Sequence, residues 1–189
     1  MSERNSFFNS STAIPLRLVF IMWCLFLIQE TYELNLAGFG IYPRDIFGMI
    51  GIFTAPWIHG NMLHIISNTI PLLFLGTTLF VFYSRIATRV FFQCYIYTGI
   101  LVWMLARPTF HIGASGVVYG IAFFLIFFGM FRRDFKSLFI SIVIVFFYGS
   151  LFYGVLPTQA GISWESHLLG GITGTLCAVY YGKVKRVSA

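Results

Sequence analysis

Residues 46–84, IFGMIGIFTAPWIHGNMLHIISNTIPLLFLGTTLFVFYS, contain no Asp, Glu, Lys or Arg. A helix that crosses a bilayer needs about 20 mostly apolar residues, so this stretch is too long for one span. Gly48, Gly51, Pro56 and Gly60 crowd its first half. They split it into a loop followed by a helix. Further charge-free runs lie on either side, at 18–29, 34–43, 90–106, 108–131, 137–164 and 166–182. Together the runs predict six spans, at 13–32, 61–83, 87–106, 115–131, 137–154 and 166–183. The expected fold is all-α: a polytopic membrane protein whose six transmembrane helices form one bundle over 13–183. A segment 1–12 precedes it and a tail 184–189 follows.

Composition agrees. Of the 189 residues 58% are hydrophobic, 10% are charged and 23 are Phe. Soluble domains are about 25% charged, and a water-soluble fold of this size leaves roughly 30% of its chain surface exposed. Soluble globular folds, disorder and secreted disulfide scaffolds are thereby excluded. Cys24, Cys94 and Cys177 lie in apolar runs without CxxC spacing and read as small buried hydrophobes. The net charge of +6 reflects membrane topology rather than nucleic acid. With the N-terminus inside, ten of the twelve cations fall on inner segments: Arg4, Arg17, Arg85, Arg89, Arg132, Arg133, Lys136, Lys183, Lys185 and Arg186. Only Arg44 and Arg107 fall outside. The positive-inside rule therefore places both termini in the cytoplasm of a multi-pass plasma or inner-membrane protein. The one long connection, 33–60, is outside and apolar, suited to the headgroup layer.

Polar residues inside spans are costly and are functional candidates by default. His64 and Asn68 open the second span, Ser115 opens the fourth and His167 the sixth. Even-numbered spans run from outside to inside, so all four residues share one depth just below the outer surface. His64 and Asn68, four apart, project from one helical face. Gly116 and Gly120 follow Ser115, and Gly170 and Gly174 follow His167. Both pairs have the small-xxx-small spacing that lets helices approach closely. If these faces pack, a hydroxyl meets an imidazole, the minimal activated nucleophile. His64, Asn68 and the Ser115 N–H would then donate to a developing oxyanion. Such a pair needs no metal or organic cofactor. Taken singly, each feature has a structural reading as well. Glycine pairs pack helices, Asn68 joins helices, and Tyr119 fills the core. Glu165 favours the helix start through the dipole, with Ser163 as a candidate N-cap.

The set W-I-H-G-N-M-L-H-I-I-S-N (57–68), G-A-S-G-V-V-Y-G (113–120) and S-W-E-S-H-L-L-G-G-I-T-G (163–174) resembles the rhomboid intramembrane serine proteases. The order H-x-x-x-N, G-x-S-G, H-x-x-G-x-x-x-G agrees over about 40–182, and G-I-Y-P-R-D (40–45) is similar to a bacterial branch. The resemblance implies Ser115 as nucleophile, His167 as general base, and His64 and Asn68 as oxyanion-hole side chains. It also implies that Tyr119 packs on the catalytic histidine, and that Gly113, Gly116, Gly170 and Gly174 are supporting glycines. His59 falls on a second, structural motif histidine. Loop 33–60 corresponds to a membrane-embedded first loop, and 154–164 to a cap beside the site. Two features depart from the family pattern. The first loop lacks the Trp-Arg pair of many members. Thr77 and Thr78 follow Gly76, where many members carry an acidic residue two beyond the glycine.

The implied function is an endopeptidase that cuts transmembrane segments of other proteins near their outer end. Its partners are membrane-protein substrates and the bilayer. Three rivals are a catalytically silent rhomboid-like client-binding protein, a metalloenzyme using His59, His64, His111 and His167, and a transporter. Retention of Ser115 and His167 opposes the first. The second has no HExxH motif. The third lacks repeat symmetry.

Overall fold

A computed structural model describes residues 11–157 and 163–183. The expected segment 1–12 and the expected cap 154–164 lie partly outside the described residues, and the tail 184–189 wholly so. Six long helices carry the architecture: α1 (Ile14–Thr31), α2 (Met62–Phe82), α3 (Ser84–Leu105), α4 (Ser115–Arg132), α5 (Phe135–Tyr148) and α6 (Trp164–Lys183). None of the described residues forms a strand. One isolated antiparallel bridge joins Ile41 to His111. The chain is a polytopic helical bundle, as expected.

The order of burial explains the arrangement. In α4, 67% of the most apolar window is buried, against 28%, 39% and 44% for α1, α2 and α3. α4 is therefore the central post. Phe124, Leu125 and Phe128 on it are fully enclosed, and α6 packs against it more extensively than any other helix does. The outside of the bundle is apolar too: Phe135 is 87% exposed and Phe146 81%. A surface of that kind belongs in lipid, where no water penalises it.

Four helices, α1 to α4, are each long and apolar enough to cross a membrane. α6 has the length, at 20 residues, but Glu165, Ser166, His167 and Lys183 dilute its apolar character. The expected fifth span, 137–154, is interrupted. α5 stops at Tyr148 after 14 residues, and a separate turn, Leu151–Gly154, follows. At 1.5 Å per residue α5 is about 21 Å long, short of the roughly 30 Å hydrocarbon core. Gly149, a weak helix former, sits at the break. At its other end Asp134 caps α5, accepting from the Ser137 N–H at 2.9 Å.

Segment 33–60 is a loop built of single helical turns at Ala37–Phe39, Phe47–Ile50, Gly51–Thr54 and Ala55–Trp57. It is tied to the bundle at several points. The Arg44 guanidinium donates to the Met104 and Ala106 carbonyls at the end of α3, where the helix exposes unpaired acceptors. Trp103 donates to the Asp45 carbonyl, and Gln29 of α1 donates to the His59 carbonyl.

Candidate active site

The sequence places Ser115 at the first position of α4, and the structure keeps it there. The chain enters through Gly113, whose φ of +102° is open to glycine and rarely to other residues. Space imposes the same choice. A Cβ on Gly113 would lie 2.5 Å from His64 Nε2 and 2.8 Å from its Cε1. The His64 ring is thus packed on the turn that presents Ser115. The Gly113 N–H donates to the Ala55 carbonyl at 2.9 Å, fixing the turn to loop 33–60. As a first-turn helix amide, the Ser115 N–H has no carbonyl partner within α4.

The expected contact between the two glycine faces is present. A Cβ on Gly170 would fall on the backbone carbonyl of Gly116, and one on Gly174 on that of Gly120. Backbone meets backbone there, which only glycine allows. This contact sets the level of α6 against α4 and brings His167, in the first turn of α6, beside the first turn of α4. The Tyr119 and His167 rings stack with centroids 4.1 Å apart and planes 6° from parallel. His167 Nδ1–H donates to the Gly154 carbonyl at 2.9 Å. A carbonyl only accepts, so the neutral ring carries its proton on Nδ1 and leaves the Nε2 lone pair free. No hydrogen bond joins Ser115 Oγ to His167 among the described contacts. Such contacts are often long before substrate binds.

Asn68 is buried, 3% exposed, and its Nδ2 donates to the His64 carbonyl at 2.8 Å. The second hydrogen of that amide is uncommitted, and Asn68 Oδ1 has no partner. His64 itself is held by the cap of α2, its N–H donating to Asn61 Oδ1 at 2.8 Å. His59 is buried, with its ring edge-on to His64 at 4.9 Å. Burial, and secondarily the neighbouring His64, push it down to about 3, so it is neutral at every physiological pH. Among the described residues, no three His, Cys, Asp or Glu side chains converge as metal ligands.

Three contacts have no counterpart in the sequence reading, although His111, Ser163 and Glu165 figure there in other roles. Gly154 supplies the carbonyl that orients His167, and a Cβ there would collide with the Tyr119 hydroxyl. His111 and Ser163 meet at 2.5 Å. Arg107 and Glu165 pair at 3.0 Å, so Glu165 does more than favour a helix start. A backbone acceptor has no sequence signature, and the other contacts join segments more than 50 residues apart.

Comparison with known proteins identifies the family. A model of the Rhomboid domain matches residues 47–184. An uncharacterized protein of Mycobacterium tuberculosis strain H37Rv is 34% identical over 175 residues, covering 86% of this chain and 72% of the relative. An uncharacterized protein of Mycobacterium bovis matches equally well. One of Mycobacterium leprae is 32% identical over 167 residues, covering 84% and 66%. Most of the chain is covered by the family model, and the chain belongs to the rhomboid family.

Proposed function

We propose that the protein is an intramembrane serine endopeptidase that cleaves transmembrane segments of other membrane proteins. The observation that carries this reading is the state of His167. Its Nδ1–H is bonded to the Gly154 carbonyl and its face is stacked on Tyr119, which leaves Nε2 as a base beside the first turn of α4. In the proposed reaction Ser115 Oγ attacks the scissile carbonyl carbon while His167 Nε2 takes its proton. The Ser115 N–H, the second Asn68 amide hydrogen and His64 donate to the oxyanion. Collapse transfers the proton from His167 to the leaving amine, and water then hydrolyses the acyl-enzyme by the same route in reverse.

A peptide bond inside a helix is hidden in its hydrogen-bonded ladder. Substrates must therefore unwind locally, and small or helix-breaking residues near the cleavage site favour cutting. The excess of inner cations supports an orientation with both termini cytoplasmic and the site toward the outer face. The apolar first loop suits the headgroup layer. Purified protein reconstituted with a panel of transmembrane substrates tests the reading. Wild type is expected to cleave and to label with a fluorophosphonate, and Ser115→Ala to do neither while staying folded. Cleavage by purified Ser115→Ala overturns the assignment. A wild type that neither cleaves nor labels supports the silent client-binding protein instead.

A further inference from the structure

Outside the Ser115–His167 pair, a second polar cluster stands against the start of α6. His111 is 2% exposed. Its backbone exchanges both hydrogen bonds with Ile41 at 2.9 Å, so it is pinned between loop 33–60 and the turn leading to Ser115. Its Nε2–H donates to the Arg107 carbonyl at 3.1 Å. Nδ1 is then the acceptor, and the Ser163 hydroxyl donates to it at 2.5 Å. The Ser166 hydroxyl donates in turn to Ser163 Oγ at 2.6 Å. Ser166 precedes His167, and its carbonyl lies 3.3 Å from where a Gly116 Cβ would be. A second tie runs alongside, from Arg107 to the nearly buried Glu165. At the α6 entrance, Ser163 thus holds the fixed imidazole, Ser166 holds Ser163, and Glu165 holds the Arg107 guanidinium.

We propose that His111 is a positioning residue for the proposed reaction: acting through Ser163 and Ser166, it sets the first turn of α6 and so the place of the His167 ring. This rests on the protease reading, because the placement matters to catalysis only if His167 is the base. The groups that face His111 are Arg107 on its own loop and Glu165 and Ser163 on the α6 side. Burial depresses the His111 imidazole below its ordinary range. The Arg107 carbonyl and Glu165 oppose that shift, and the Arg107 charge adds to it. A depressed histidine favours the closed arrangement above its ordinary value of 6.5. That contribution is lost as pH falls through the lower folded-state value, because protons then favour the opened turn.

The test uses the full chain in proteoliposomes with two readouts. The first is cleavage of a transmembrane substrate as a function of pH. The second is hydrogen exchange of residues 164–168, corrected for intrinsic rates, which needs no activity. His111→Leu and Ser163→Ala are each expected to lower kcat about 10-fold or more, in line with the cost of small misplacements. KM should stay unchanged, and exchange at 164–168 should rise. The double variant is expected to cost no more than either single change, because both break one link. His111→Asn keeps an acceptor near the Nδ1 position but does not titrate. It is expected to restore the neutral-pH rate and to show a shallower acid limb than wild type. Unchanged exchange and unchanged kcat in His111→Leu and Ser163→Ala overturn the proposal. So does a His111→Asn variant as impaired as His111→Leu. If wild type does not cleave at all, the protease reading fails, while the exchange data still decide whether the clasp holds α6.

Discussion

Gly154 is the residue whose importance is hardest to see from its type. Its carbonyl fixes the His167 tautomer, and its missing side chain leaves room for the Tyr119 hydroxyl. Gly154→Ala should therefore push Tyr119 or the 151–154 turn away and tilt the imidazole. A loss of about 10- to 100-fold in kcat is expected. Adding Tyr119→Phe, which removes the colliding hydroxyl and keeps the stacked ring, should recover part of it. Steady-state kinetics of the two singles and the double check this, and additive losses would contradict it. Asn68 makes a separate prediction. Asn68→Ala removes one proposed oxyanion donor while His64 and the Ser115 N–H remain, so kcat should fall on the order of 100-fold. An unchanged rate would return Asn68 to the role its bond to the His64 carbonyl suggests, a tie within α2.

Among the elements, the pairing of α4 and α6 governs the site. A valine at Gly170 meets the carbonyl oxygen, carbonyl carbon and Cα of Gly116, none of which can turn aside. Gly170→Val should part the helices near His167, costing about 1–3 kcal/mol of stability from overpacking. Misplacement of about 1 Å can cost on the order of 100-fold in rate, so activity and fluorophosphonate labelling should fall further than the folded fraction. Leu176→Val, on the same helix but 62% exposed, should change neither. Equal effects at the two positions would show that the close contact does not matter. The break between α5 and the 151–154 turn belongs to this scale as well. An uninterrupted helix over 137–154 would carry the Gly154 carbonyl along its own axis rather than turning it to His167.

On the scale of the whole molecule, the site lies at one end of the bundle, where α2, α4 and α6 all begin. The orientation proposed from the cation count puts that end at the outer face. In a background free of Cys24, Cys94 and Cys177, Thr109→Cys is expected to react with a membrane-impermeant maleimide on intact cells. Ser84→Cys, at the opposite end of α3, should react only after the membrane is permeabilised. Both positions are exposed, so accessibility from the two sides reads orientation directly. The reverse labelling pattern would invert the topology.

Much of this was legible before folding, for reasons of short range. Charge-free runs mark helices because a lipid-facing backbone must satisfy its own hydrogen bonds, and five of the six expected spans match α1, α2, α3, α4 and α6 within a few residues. Spacings of three and four placed His64 with Asn68 and aligned the two glycine pairs, since a helix turns every 3.6 residues. The expected fifth span runs beyond α5 because hydropathy registers the apolar run through Tyr153 but not the break at Gly149. Tertiary structure alone decided the polar partners of His167 and of the α6 entrance. The Gly154 carbonyl, the His111–Ser163–Ser166 chain and the Arg107–Glu165 pair join loops to a helix end across long separations in sequence. Every residue has a carbonyl, and serines, histidines and ion pairs at loop ends have no periodicity. Their partners exist only once the packed helices fix where each loop must run.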